Sequence, residues 1–197
     1  MSDAKKGRSR GRPRQFDPEE AVATAQRLFH ARGYDAVSVA ELTESLSIKP
    51  PSFYAAFGSK GGLYRRALER YVTTHGIPFA ELLRPDRSVA ESLAALLEEA
   101  ACRYAADRET PGCLVLESLR CNDEEAREGA RTLHRATEDK LRDYIAKRHP
   151  KEAERLTDFV CAVMAGMSAR AREGHGLDRL VATARLASEA IAQALRE

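Results

Sequence analysis

The amino-acid sequence predicts an all-α protein. Apolar residues recur at helical spacing along most of the chain, several helix caps can be placed, and no alternating strand pattern is found. The 197 residues, 43% hydrophobic and 31% charged, have the composition of an ordinary folded protein. This length suits a small helical module followed by a larger helical domain.

The N-terminal segment is strongly basic. Residues 1–70 carry 13 Lys and Arg against 8 Asp and Glu, whereas the rest of the chain carries 19 against 22. Because residues 1–16 have six basic residues, one acid and no apolar periodicity, we expect a disordered arm there that attracts a polyanion. Arg10, Arg12 and Arg14 stand in an R-G-R-P-R segment that resembles an AT-hook core, which lies in a narrow A/T-rich minor groove. The alternative is a solubilising tail.

The first two helices have clear start signals. Asp17 can cap a helix that begins at Pro18, and Gly33 can end it in a left-handed conformation. Ser38 and Glu41 have the spacing of a capping box, which predicts a second, short helix.

A third helix is predicted from Pro50 to about Phe57, since adjacent prolines fit only the first turn of a helix. Ser59 can cap a fourth helix that reaches about His75. Three short helices with a tight second junction indicate a helix-turn-helix domain.

The remaining sequence predicts five further helices, near 88–106, 113–120, 123–148, 151–173 and 177–196. We therefore divide the chain into a basic arm (1–16), a helix-turn-helix DNA-binding domain (17–58), a linking helix (59–76) and a ligand-binding and dimerisation domain (77–197). No stretch approaches the roughly 20 apolar residues of a membrane span and no secretion signal is present, so we expect a cytoplasmic protein.

The segment from Ser38 to Leu63, S-V-A-E-L-T-E-S-L-S-I-K-P-P-S-F-Y-A-A-F-G-S-K-G-G-L, resembles the TetR family of transcriptional regulators. The landmarks of the resemblance are Ser38, Ile48, Tyr54, Phe57, Ser59 and Lys60. Three positions depart from the family pattern: Thr43 replaces a small alanine, Ser47 replaces the usual turn glycine, and Gly61 replaces a common acidic residue. Ser47 is expected to strain or alter the turn.

The third helix is the candidate recognition helix, because a helix in the major groove presents its N-terminal side chains to base edges. Its predicted DNA-facing residues are Lys49, Pro50, Pro51, Ser52 and Ala55. The resemblance implies that Tyr54 and Lys60 hold phosphates, and the helix N-terminus at Ser38 can face another. Taken singly, the lysines can be solvated side chains and Tyr54 a packing residue.

The resemblance also implies a homodimer formed by the last two long helices. The predicted interface residues are Cys161, Ala162, Ala165, Gly166, Ala169, Leu180, Ala184, Ala187 and Ile191. Part of each apolar stripe is equally explained by packing inside one chain.

An effector cavity is expected among the middle helices, again from the resemblance. The residues predicted near it are Leu96, Cys102, Tyr104, Leu114, Phe159 and Met164, although core packing also explains each one. The four cysteines, Cys102, Cys113, Cys121 and Cys161, contain no C-x-x-C pair, so reduced thiols are expected and neither a metal nor a cofactor is predicted. A metal or thiol sensor built from Cys102, Cys113, Cys121 and His134 is a weaker alternative, since their spacing fits no known ligand pattern.

The sequence therefore predicts a ligand-responsive repressor that binds a palindromic operator as a homodimer and is released by a small molecule. The rival class is an architectural or effector-independent DNA-binding protein. An all-helical enzyme is disfavoured, because no catalytic constellation and no phosphate-binding glycine loop is found.

Overall fold

The structure, a computed structural model, describes residues 16–196 and contains ten α-helices within that range. They are α1 (Pro18–Arg32), α2 (Val39–Ser45), α3 (Pro50–Phe57), α4 (Lys60–His75), α5 (Phe79–Leu82), α6 (Val89–Tyr104), α7 (Leu114–Ser118), α8 (Glu124–Ala146), α9 (Ala153–Arg172) and α10 (Leu177–Ala194). The all-α prediction is confirmed, and the later helices agree with the predicted limits to within a few residues. Only α5 was missed, since four residues carry no periodic signal.

The caps predicted for α1, α2 and α4 are present. The Asp17 carboxylate accepts a hydrogen bond from the Glu19 backbone N–H at 2.9 Å, and the Ser59 hydroxyl accepts one from Gly62 N–H at 2.9 Å. Ser38 and Glu41 form the reciprocal capping box. These side chains satisfy backbone donors that a helix N-terminus otherwise leaves unpaired, so they fix where each helix begins.

Two hydrophobic cores organise the molecule. The N-terminal core is built from α1 to α4 around Phe29, Phe53 and Leu63, and it also takes in Leu114 of α7 and Ala130 of α8. The C-terminal core is formed by α6, α8, α9 and α10, in which α10 packs mainly against α6. The buried hydrophobic residues of α4 belong to the N-terminal core, and the helix also contacts α7 and α8, so it connects the first three helices with the rest of the chain.

Hydrogen bonds around Gly112 connect segments of the two cores. Gly112 has φ +77°, and a Cβ there would lie 2.8 Å from the backbone oxygen of Ser168 in α9, so only glycine fits without displacement. Its N–H donates to the Tyr104 carbonyl of α6 at 2.9 Å, and its carbonyl accepts from the ring of His30 in α1 at 3.3 Å. The Arg172 guanidinium donates to the His30 carbonyl at 2.9 Å. The C-terminal end of α1 is thus hydrogen-bonded at two points, to Gly112 and to Arg172 of α9.

Among residues 16–196, the helices are too short or too polar for any of them to cross a membrane.

Candidate nucleic-acid interface and effector cavity

The α3 helix presents a polar and proline-rich surface above two buried aromatic rings. Phe53 and Phe57 lie in the N-terminal core. The exposed residues of this segment are Lys49, Pro50, Pro51, Ser52, Tyr54 and Ala55. Lys49 is extended before the first proline, which holds its side chain outside the helix. Tyr54 is 51% exposed, so its hydroxyl is available at the surface.

The Ser38 hydroxyl is occupied by its own helix cap. It donates to the Glu41 carboxylate at 2.9 Å and accepts from the Glu41 N–H at 3.2 Å, while Arg32 pairs with the same carboxylate at 2.7 Å. These hydrogen bonds, led by the one from the Ser38 backbone, lower the pKa of Glu41 to about 2. A phosphate contact at this site would therefore use the backbone N–H groups of the first turn.

Lys60 lies in a different environment from the one expected. Its ammonium is 3.9 Å from the centroid of the Tyr34 ring, and the side chain is half-buried at the junction between α4 and the loop after α1. Burial lowers the pKa of Lys60, with Asp35 and Asp123 opposing that shift. This cation–π contact could not be predicted from the sequence, because Tyr34 is distant from Lys60 along the chain.

The three departures from the family pattern have local explanations. Ser47 has φ +53°, so it adopts the left-handed conformation that glycine would take more easily, and the predicted strain is located at this turn. Thr43 is buried, but its hydroxyl donates to the Ala40 carbonyl at 2.9 Å. A Cβ at Gly61 would lie 2.8 Å from a carboxylate oxygen of Glu125, so an acidic group from α8 occupies the space beside this position.

Arg10, Arg12 and Arg14 lie outside the described residues, so the minor-groove arm stays a prediction.

A cavity of about 360 Å³ opens between α4, α6, α8 and α9. Its wall includes Tyr71, Tyr104, Cys113, Leu133 and Met164, and its outer part includes His75, Glu81, His134 and Lys140. This volume is at the lower end of the range for small-molecule sites. Tyr104 and Met164 are the two predicted ligand residues that line it.

The other four predicted ligand residues do not line this cavity, so the prediction is wrong for them. Leu96 is fully buried in the C-terminal core, and Leu114 is fully buried in the N-terminal core. Cys102 is exposed, and Phe159 is 39% exposed. Helical periodicity identified these residues as apolar but could not tell which neighbour each one faces.

The contribution of α4 to the cavity was missed by the sequence reasoning. Tyr71, Val72 and His75 line it, so the helix that carries the reading head also forms one wall of the cavity. The Tyr71 ring makes an edge contact with His30 at 5.2 Å between centroids, and its hydroxyl lies beside the Cys113 thiol. The available signal was the aromatic spacing of Tyr64 and Tyr71 along one helix face.

The prediction that the apolar stripe of α10 faces a partner subunit is wrong. Leu180, Ala184, Ala187 and Ile191 are buried within the protomer, mainly against α6, so they cannot form an intersubunit surface. Cys161 lines the cavity. The remaining predicted interface residues are on the surface of α9: Ala162 and Gly166 are exposed, and Ala165 and Ala169 are half-buried.

Residues 16–196 contain no cluster of three or more His, Cys, Asp or Glu side chains that could hold a metal ion. The four cysteines are free, and burial raises the pKa of Cys113 and raises that of Cys161 to about 12. The described residues therefore assemble no metal site from these side chains.

A helix-turn-helix with an exposed third helix, followed by a helical body with its own cavity, defines a DNA-binding regulator. Residues 21–67 match the family model described as bacterial regulatory proteins, tetR family. The chain is 51% identical over its whole length, and over the whole length of the relative, to the HTH-type transcriptional repressor BdcR of Escherichia coli (strain K12). It is 31% identical over 88% of each chain to the HTH-type transcriptional repressor ComR of the same organism.

Solved structures agree with these sequence matches. A cysteine mutant of the TetR family transcriptional regulator CifR, complexed with 26-bp double-strand operator DNA, is 34% identical with a TM-score of 0.80. The match covers 91% of this chain and 99% of that one. The chain belongs to the TetR family and is a transcriptional regulator, not an enzyme.

Proposed function

We propose that this chain is a transcriptional repressor that binds a palindromic operator as a homodimer and is released when a small molecule enters the cavity beside α4. The exposed N-terminal half of α3 is the observation that carries the DNA-binding part. BdcR and ComR are named as repressors, and CifR is a relative solved on operator DNA. A cytoplasmic location is part of this proposal, since the proposed partner is operator DNA.

The proposed DNA surface consists of the α3 residues Lys49, Pro50, Pro51, Ser52, Tyr54 and Ala55. The proline rings and Ala55 offer apolar contacts to thymine methyl groups, while Ser52 can hydrogen-bond a base edge or a phosphate. Lys49 and Tyr54 supply phosphate contacts that position the helix without reading sequence. Lys60 belongs to this surface only if its ammonium leaves the Tyr34 ring. The arm residues Arg10, Arg12 and Arg14 extend the surface into the adjacent minor groove.

The proposed dimer surface uses the outward faces of α9 and α10. Phe159, Ala162, Gly166 and Ala169 recur at intervals of three or four residues, so they share one face of α9, and Phe159 is 39% exposed. On α10, Leu186 is 69% exposed between Ala182 and Ala190, which are also exposed. Phe159 and Leu186 together give these two helices exposed apolar side chains that a partner subunit can bury.

The proposed control of DNA binding passes through two contacts. A ligand that moves Tyr71 or His75 displaces α4 directly, because both residues belong to that helix. A ligand that moves Cys113 acts on the neighbouring Gly112 and, through the hydrogen bond of Gly112, on His30 of α1. A ligand that favours one arrangement of these contacts changes the spacing of the two recognition helices in the dimer. Operator binding requires those helices to meet major grooves about 34 Å apart on one face of DNA.

Selection of bound sequences from random double-stranded DNA by the full chain tests the proposal. We expect a two-fold symmetric sequence whose half-sites are separated by about one helical turn or a multiple of it. Recovery of A/T-rich DNA without a shared symmetric sequence would instead support the architectural alternative, in which the basic arm dominates. Adding a cavity ligand to the bound complex separates an effector-controlled repressor from an effector-independent one.

A further inference from the structure

The Tyr104 side chain places a hydroxyl group in the wall of the cavity. It is only 2% exposed and lines the cavity wall, yet within residues 16–196 its hydroxyl has no hydrogen-bond partner. The neighbouring polar groups are engaged: the Thr137 hydroxyl donates to the Leu133 carbonyl at 3.2 Å, and the Tyr71 hydroxyl lies beside Cys113. The hydroxyl oxygen keeps access to the space of the cavity, so it is free to donate a hydrogen bond to a molecule that enters.

The interior of the cavity disfavours charge. Burial raises the pKa of Tyr104 and of Cys113, and it raises the pKa of Cys161 to about 12, so an anion among these groups would lose its hydration in the same way. Leu133, Val115 and Met164 complete an apolar lining. The charged residues of the lining, Glu81 and Lys140, are both exposed and lie at its outer part, away from this apolar wall.

We propose that the cavity takes a neutral, mainly apolar small molecule with one hydrogen-bond-accepting oxygen, and that Tyr104 donates to that oxygen. This specificity rests on the proposed role of the cavity as the effector site. A phenol inside an apolar cavity distinguishes a carbonyl or ether from a hydrocarbon of the same shape by one hydrogen bond. A carboxylate of the same size is disfavoured at this position, because the titratable groups that act on Tyr104 are Tyr71, Cys113 and Cys161, and none of them is a cation.

The test uses three probes of matching shape: acetophenone, ethylbenzene and benzoate. Calorimetry on the full chain measures their affinities, and the methyl NMR signal of Met164 reports entry into the cavity because this methionine lines it. We expect acetophenone to bind about threefold to tenfold more tightly than ethylbenzene, both to shift the Met164 signal, and benzoate to leave it unchanged. Equal affinities of ketone and hydrocarbon, tighter binding of benzoate, or no shift with either neutral probe would overturn the inference.

The variant Tyr104→Phe should bind acetophenone and ethylbenzene equally. Tyr144→Phe is the matched control, because Tyr144 is also buried but its hydroxyl donates to Ser92 and the Arg84 carbonyl, away from the cavity. A ketone preference that survives in Tyr104→Phe contradicts the assignment. Should that variant unfold, the wild-type comparison of the three probes decides alone. Operator affinity, measured in the same samples, is a separate readout: a ketone that binds through Tyr104 and leaves it unchanged supports the site but contradicts the effector role.

Discussion

At the scale of single residues, Lys49 and Lys60 differ in how freely their ammonium groups can reach DNA. Lys49 is held in front of Pro50 by the restricted backbone before proline, so its ammonium projects from the N-terminus of α3 rather than packing against the core. Lys60, by contrast, is placed over an aromatic ring. We therefore expect the two lysines to contribute differently to operator binding.

Replacing Lys49 with alanine should reduce operator affinity and make the slope of log affinity against log salt shallower by about 1, because one phosphate contact is lost. Lys147→Ala is the matched control, since this exposed lysine follows the end of α8 that packs in the C-terminal core. Fluorescence anisotropy at several salt concentrations measures both slopes. Equal slopes in the wild type and the Lys49 variant would remove this residue from the interface.

His30 makes stability depend on pH. Desolvation first, and then the charge of Arg172, lower its pKa from 6.5 to about 4. Between these values the unfolded chain binds a proton that the folded chain does not, so acidification destabilises the fold. From pH 6.5 to 5 the share of this residue is about 2 kcal/mol of unfolding free energy.

We expect His30→Gln to lose less stability than the wild type between pH 7.5 and 5, as measured by urea unfolding. His149→Gln, a substitution in the turn before α9, is the control and should follow the wild type. Parallel pH profiles for the wild type and the His30 variant would show that this histidine is not the group that titrates.

At the scale of helices, close packing at the start of α4 fixes the position of α3 relative to α4. A Cβ at Gly62 would lie 2.2 Å from the backbone carbonyl oxygen of Phe57, whereas a Cβ at Gly129 in α8 would meet only a Leu68 methyl group at 3.9 Å. Both glycines are in helices, so they share the same change in helix propensity.

Gly62→Ala should therefore lower the free energy of unfolding by about 1 to 3 kcal/mol, as expected for overpacking. Gly129→Ala should leave it unchanged or raise it by about 0.5 to 1 kcal/mol, because alanine favours helix. Chemical denaturation compares the two variants. A stable Gly62 variant would mean that α3 and α4 can separate without loss, against the close junction described here.

The outward face of α9 gives a second prediction at this scale. No atom outside the surrounding helix backbone lies within 4 Å of a Cβ at Gly166, so Gly166→Leu should fold normally as a protomer but hold a partner helix away. Ala106→Leu adds a similar side chain at an exposed position beyond α6 and is the control. Sedimentation at micromolar concentration should find a weakened dimer only for the Gly166 variant. A fully dimeric Gly166→Leu would move the interface elsewhere.

At the scale of the whole molecule, the sequence predicted the helices far better than their partners. Helix limits were predictable because Asp17, Ser38 and Ser59 act within four residues of where they stand. The stripe of Leu180 and Ile191 was read as intersubunit, since periodicity identifies an apolar face without saying whether the same chain covers it. The cavity depended on contacts between distant segments, such as Tyr71 with Cys113, and no local pattern encodes these.

The two cores are connected at Gly112 and at α4, where Tyr71 lies beside Cys113. We propose that a ligand in the cavity changes operator binding through these two connections. A ligand can do so only by binding the two arrangements unequally, and typical coupling between sites corresponds to about 5-fold to 150-fold in affinity.

The most direct measurement is the operator dissociation constant of the full chain, with and without a ligand that shifts the Met164 methyl signal, while sedimentation records the mass of the protein. We expect the constant to rise by about 5-fold or more at saturating ligand, with the dimer mass unchanged. An unchanged constant with the cavity occupied, or release that occurs only through monomers, would contradict it.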